Sequence, residues 1–289
     1  MNEFDSLPTT SSDLGTVSVQ TREQTEIQAI VVSAKKFPRD ESLCYTQAIK
    51  SFKRKSMADS AMYSFPRGGQ TVTGCSVNAA REIARCWKNL HYGLRIVQLD
   101  SEQVHIKGFC YDAESNVHVE AEDRFAKKIQ RKKKDYATGV TKTEWVEADE
   151  RDLRELINKR GSILIRNCIL QIVPPDVVED CMKEARKTMQ QSASGELKAN
   201  REDTIKKLCL EFDALGVSTE MLEDYLGHKL ALVTNDELVN LRVVFSSIRD
   251  GNSKREEYFN FKEVSKASDL NSKLKGGDNG KDSTVQKTN

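Results

Sequence analysis

Val104-His-Ile-Lys-Gly-Phe-Cys-Tyr111 is the stretch on which the fold turns. In an extended chain, Val104, Ile106, Gly108 and Cys110 fall on one face, and His105, Lys107, Phe109 and Tyr111 on the other. Upstream, Leu94-Arg-Ile-Val-Gln-Leu99 ends at an Asp100-Ser101 turn. Downstream, Asp112 to Asn116 is a second turn leading into Val117-His-Val-Glu-Ala-Glu-Asp-Arg-Phe125. Three such runs separated by turn residues predict an antiparallel β-meander of at least three strands.

Helical periodicity surrounds this meander. Apolar stripes predict helices over Thr21–Lys36, which Pro38 ends, and over Asp40–Ser60. Tyr63 to Gly74 carries two short extended pieces around Gly68-Gly69 and predicts a hairpin. Ser76 is then a suitable N-cap for a helix over Val77–Trp87. After the meander, residues 135–146 suit a loop or small hairpin. A long helix follows from Glu147 to Ile172, with Leu153, Leu156, Ile157, Leu164, Cys168 and Ile172 on one stripe. Pro174-Pro175 ends it, and another helix runs from Asp176 to Met189.

Gln190 to Gly195 has linker composition. Beyond it, three short helices capped by Ser218 and Thr234 and stopped by Gly216 and Gly227 predict a small bundle. The expected class is therefore α+β: an antiparallel meander packed with helices, a small helical C-terminal bundle and a disordered tail. The expected divisions are a flexible N-terminus (1–20), a core (21–190), a linker (191–199), a helical interaction domain (200–259) and the tail (260–289).

Charge singles out one segment. Arg124-Phe-Ala-Lys-Lys-Ile-Gln-Arg-Lys-Lys-Lys134 places seven cations in eleven residues, in a chain of 289 residues whose formal charge is only +1. From Phe52 to Gln190 there are 25 Lys and Arg against 20 Asp and Glu, while both flanking regions are slightly acidic. A local cationic arm attracts a polyanion without making the whole molecule adhesive. A solvated loop is the competing reading of any such run.

Other chemistry is poorly supplied. No Walker-type phosphate loop, Gly-x-Ser-x-Gly or His-Glu-x-x-His occurs. Seven scattered cysteines form no Cys-x-x-Cys pair, so no zinc site is expected and reduced thiols in a cytoplasmic setting are. No apolar run reaches the roughly 20 residues of a membrane span. Glu120, Glu122 and Asp123 resemble the acidic cluster of a metal-dependent nuclease, without a third carboxylate on the face shared by Glu120 and Glu122.

Binding chemistry is richer. Arg67 in the hairpin, and Arg81, Arg85 and Lys88 on the next helix, are candidate phosphate contacts. So are Lys127, Lys128, Arg131, Lys132, Lys133 and Lys134 in the basic run, and Lys159 and Arg166 on one face of the long helix. Tyr136, beside the basic run, is a candidate stacking residue among nearby aromatics that include Tyr63 and Phe65.

This order of elements resembles the phage-type single-strand annealing proteins of the RecT/Redβ/Erf superfamily. Pro66-Arg67-Gly68-Gly69, Thr73-Gly74-Cys75-Ser76, Ala79-Ala80 through Leu90, Gly93, Asp112 with Asn116, and Arg166-Asn167 before Val173-Pro174 carry the likeness, over roughly residues 25–190. Trp87-Lys88-Asn89 departs from the usual Trp-Gly-Asn. The resemblance implies a non-enzymatic, ATP-independent protein that needs no cofactor. It would bind single-stranded DNA, pair complementary strands for recombination, and assemble into rings or filaments. It also implies docking of a partner exonuclease or single-strand-binding protein through residues 200–259. A single-strand binder that does not anneal, and less directly a nuclease, are the alternatives.

Overall fold

The computed structural model describes residues 11–67, 70–134 and 141–261, and the fold is mixed α and β with three small antiparallel sheets. Strands β3 (Leu90–Leu99), β4 (Gln103–Asp112) and β5 (Val117–Ala126) form the expected meander in the order β3-β4-β5. The alternation in β4 has its physical cause in helix α5 (Glu150–Ile172), which packs across all three strands. Val104, Ile106 and Phe125 from the sheet close on Leu164 of the helix.

Two glycines permit this close approach. A Cβ on Gly108 would lie 2.5 Å from Leu164 Cβ, and one on Gly161 would lie 2.4 Å from Leu94 Cδ2. Sheet and helix each give up a side chain where they cross.

A second layer lies beyond α5. Helices α2 (Glu41–Phe52), α3 (Lys55–Asp59), α4 (Val77–Trp87) and α6 (Pro175–Ala214) enclose a core containing Phe52, Ile83, Trp87, Cys168, Ile169 and Met189. Ser76 caps α4 as its position predicts, accepting the Ala79 N–H at 3.1 Å. Helices α7 (Thr219–Leu226) and α8 (Asn235–Arg249) begin at Ser218 and Thr234, the latter in a full capping box with Glu237.

Strands β1 (Met62–Arg67) and β2 (Gln70–Cys75) make the expected antiparallel pair, with Tyr63 opposite Gly74. Strands β6 (Lys128–Lys134) and β7 (Thr141–Glu147) make another, so the basic run is a strand rather than a loop.

Three expectations need correction. Residues 11–20, expected to be loose, belong to α1 (Ser11–Lys36). The helix expected over Asp40–Ser60 is two helices, because Lys53 and Arg54 leave helical pairing between α2 and α3. Gln190 to Gly195 is not a linker. Met189, Ala193 and Leu197 are buried at spacings of four, and that burial keeps α6 helical through polar composition until a kink at Asn200. One buried cluster runs from Cys44 through Met189 to Phe212, Leu238 and Phe259. The expected tail lies outside the described residues apart from Asn260 and Phe261.

Candidate nucleic-acid interface

A cleft of about 710 Å³ opens between the β1–β2 hairpin, α5 and the end of α8, lined in part by Tyr63, Lys159, Ser162, Arg166, Arg249 and Asn252. The hairpin supplies its aromatic wall. Tyr63 lies over Gly74, where a Cβ would fall 2.8 Å from the ring, and it stacks with Phe65 at 6.0 Å between centroids and 11° between planes. Helix α5 supplies the cations. The Arg166 guanidinium sits 4.7 Å from the Tyr63 centroid, and its Nε and Nη2 donate to Asn167 Oδ1 at 3.2 and 3.0 Å.

Lys159 is two turns earlier on the same face, roughly 10 Å along the axis. Neither Lys159 nor Arg166 has a carboxylate partner among the described residues. Arg249 does: Nε donates to Asp250 Oδ1 at 2.8 Å. Glu155 is the other acid in the lining. The cleft therefore offers two uncompensated cations beside a tyrosine that is stacked on a phenylalanine.

The hairpin is fixed from behind. The Ser64 N–H donates to Ser247 Oγ at 2.7 Å, while Ser253 Oγ and Tyr258 OH donate to the Ser64 carbonyl at 2.8 and 2.6 Å. Ser64 is 1% exposed, so these bonds satisfy backbone groups that water does not reach.

The other expected contacts are dispersed. Arg67 is exposed at the end of β1, opposite Gln70. Arg81 is exposed on α4, one turn beyond the cleft residues Val77 and Asn78 but outside the lining itself. Its neighbour Arg85 is committed to Glu82, donating from Nε and Nη2 at 2.9 and 2.8 Å, with Arg54 Nη2 at 2.8 Å. Those contacts, the Arg85 hydrogen bond foremost, pull the Glu82 carboxyl down to about 2.

On β6, Lys128 and Lys133 are exposed. Lys132 and Lys134 occupy backbone positions opposite Thr143 and Thr141. Arg131 is engaged instead, Nη2 donating to Asp152 at 2.6 Å and to Asp149 at 3.3 Å in front of α5. That exchange is exposed, where ion pairs are weak and a phosphate competes readily. Lys127 joins β5 to β6, its N–H donating to the Glu102 carbonyl at 2.9 Å. Tyr136 lies outside the described residues.

The carboxylates of the nuclease alternative are already occupied. Lys107 Nζ donates to Glu120 at 2.8 Å and lies 3.1 Å from Glu122, while Asp123 takes Arg160 Nη1 at 2.8 Å on the opposite face. Among the described residues, no group of three or more His, Cys, Asp or Glu is placed to hold a metal ion. Burial pushes the Cys75, Cys110 and Cys181 thiols up to about 12, which makes them poor nucleophiles. No helix among the described residues is long and apolar enough to cross a membrane.

Two groupings were not foreseen. Tyr63 meets Arg166 across more than a hundred residues. Arg39 is buried against Asp112 and Glu114 with its guanidinium 5.2 Å from the Trp87 centroid, tying the start of α2 to the second turn of the meander. Asn89 joins that network from the end of α4, and burial of the Glu114 carboxyl is outweighed by its Asn89 and Arg39 hydrogen bonds, so its pKa falls below the usual value. Nothing in the local pattern around Arg39 signals a buried pair. The chain matches no family model, no curated protein and no solved structure.

Proposed function

We propose that the protein binds single-stranded DNA along the cleft between the β1–β2 hairpin and α5, and pairs complementary strands without a nucleotide cofactor. The observation that carries this reading is the grouping of Lys159, Arg166 and Tyr63, itself stacked on Phe65, in one open cleft. Free cations neutralise phosphates, and aromatic faces accept bases of any sequence. Two of the segments that carry the likeness to the annealing superfamily, far apart in the chain, reach this same cleft at Ser76 and at Arg166.

No bond is made or broken in this function. Rate comes from holding two strands extended and close, which raises their effective concentration. The exposed strand β6 extends the cationic surface beyond the N-terminus of α5. Self-assembly, the second part of the proposal, is supported by β3. It is an edge strand on which Ile96, Val97 and Leu99 are 53%, 51% and 53% exposed. Helix α1 adds Ile27 and Val32, and Phe37 just after it is exposed as well. A partner exonuclease or single-strand-binding protein would meet residues 200–259, where Leu210 and Leu232 are exposed. A cytoplasmic location belongs to the same proposal.

The test is annealing of two complementary labelled oligonucleotides without ATP. Faster pairing that is lost at high salt, and slowed in the Lys159→Ala/Arg166→Ala variant, is the expected result. Binding without faster pairing would make the protein a single-strand binder only. Absence of binding at low salt would remove the reading.

A further inference from the structure

A second hollow, of about 500 Å³, lies on the other flank of α5, where β5 meets the β6–β7 hairpin. Its floor is Phe125 and Leu156, and its rim is Trp145, Arg124, Lys128 and Arg160. Trp145 is 65% exposed, although a tryptophan ordinarily gains more than most residues from burial. Its strand position is opposite Gln130, within the pairing that carries the basic run.

The charged residues of the lining are all cations, with Asp123 paired to Arg160 and Glu147 opposite Lys128 in the strand register just outside it. Arg160 is fixed, with its guanidinium 4.7 Å from the Phe125 centroid and Nη1 on Asp123 at 2.8 Å. Arg124 and Lys128 have no ion-pair partner among the described residues. An exposed indole beside free cations and an apolar floor suits a planar, apolar ring attached to an anion. An unpaired nucleotide has that composition, and the hollow has the volume of a small-ligand site.

We infer that Trp145 is a base-stacking platform, with Arg124 and Lys128 receiving the adjoining phosphates, so that the β6–β7 hairpin is a second contact for single strands. This rests on the reading of the protein as a single-strand binder and adds a subsite distinct from the Tyr63 cleft. It assigns the basic run a base-stacking partner rather than charge alone. The stacking tolerates any sequence, because every base has an aromatic face.

The chain has two tryptophans, and Trp87 is 5% exposed beneath Arg39. Quenching of the intrinsic fluorescence by a stacked base therefore reports mainly on Trp145. The full chain is titrated with oligo-dT and with an abasic strand carrying the same number of phosphates. Oligo-dT is expected to quench the emission and the abasic strand to leave it nearly unchanged.

Trp145→Ala is expected to weaken oligo-dT binding about 5- to 140-fold, with Trp145→Phe retaining most of the affinity. The abasic strand should bind wild type and Trp145→Ala alike. Tight oligo-dT binding with unchanged emission, and equal affinity in Trp145→Ala, would overturn this site and leave the cleft reading standing. No oligo-dT binding by the wild-type chain would remove both. Because the side chain is mostly exposed, neither variant should alter the melting temperature, which is checked alongside.

Discussion

The salt dependence of binding separates Lys159 and Arg166 from the many other cations of the chain. Each phosphate neutralised on a single strand contributes about 0.7 to the slope of log Kobs against log salt, so removing both side chains should lower the slope by about 1.4. Between 50 and 200 mM salt, the wild-type affinity should then fall about sevenfold further than that of the Lys159→Ala/Arg166→Ala variant. Fluorescence anisotropy of a labelled oligo-dT over a salt series measures it.

Arg166→Lys isolates the rest of the Arg166 contribution. It keeps the charge and the slope but loses the planar contact 4.7 Å from Tyr63, so affinity should fall at every salt concentration equally. Lys187→Ala, exposed on α6, removes a charge outside the cleft's lining and is the control for net charge. Parallel slopes for wild type and the double variant would refute the assignment of these residues to phosphate, whatever their effect on absolute affinity.

Other expectations follow from the packing and the ion pairs. Gly108→Ala should destabilise by about 1–3 kcal/mol in denaturant unfolding and by more than Gly161→Ala. The added methyl meets Leu164 Cβ and backbone at 2.5 and 3.0 Å, whereas at Gly161 it meets the mobile tip of Leu94; equal losses would contradict this. Ser247→Ala leaves the buried Ser64 N–H without an acceptor and should cost about 1–3 kcal/mol while weakening single-strand binding through the loosened hairpin. Arg39→Ala leaves Asp112 buried and uncompensated and should cost about 3–5 kcal/mol by the same unfolding measurement.

The Glu82 and Glu196 carboxyls are held down to about 2, against 4.5 unperturbed, the first mainly by Arg85 and the second by Arg242 and Lys55 acting against burial. Folded-state values below the unfolded ones stabilise above pH 4.5, and the contribution disappears as pH falls towards about 2. Melting temperature should therefore drop over that window, and less steeply in Glu82→Gln and Glu196→Gln.

What the sequence disclosed was periodic. The meander, the α5 stripe, the β1–β2 pair and the caps at Ser76, Ser218 and Thr234 all follow from alternation, helical spacing or a hydroxyl before an apolar run. These signals are local, and tertiary packing reinforces them. Where the two conflict, packing prevails: Gln190 to Gly195 reads as a linker, yet Met189, Ala193 and Leu197 hold it helical. The basic run reads as an arm because cations are poor evidence for a strand, while its partner Thr141–Glu147 carries only modest alternation. Lys159 and Arg166 were placed on one face by spacing alone. That Tyr63 would face them, that Arg39 would be buried on Asp112, and that Trp145 would stand exposed depend on chain crossings no local pattern encodes.

These crossings change what the C-terminal helices do for the proposed site. A separate interaction domain would have its own core and few ties to the binding surface. Here Leu238, Leu241 and Val244 of α8 belong to the same buried cluster as Phe52 and Ile83, and α8 packs directly on β1. The three groups that satisfy Ser64, namely Ser247, Ser253 and Tyr258, all come from this region, and Arg249 with Asn252 closes one end of the cleft. Tyr63 and Phe65 alternate with Ser64 along β1, so the bonds that fix Ser64 from behind also fix the stacked rings in front. The aromatic wall therefore cannot keep its place beside Arg166 unless α8 and the turn after it are folded. Residues 200–259 act on the cleft first as its scaffold, and any partner that displaces α8 would act on strand binding through the same hairpin.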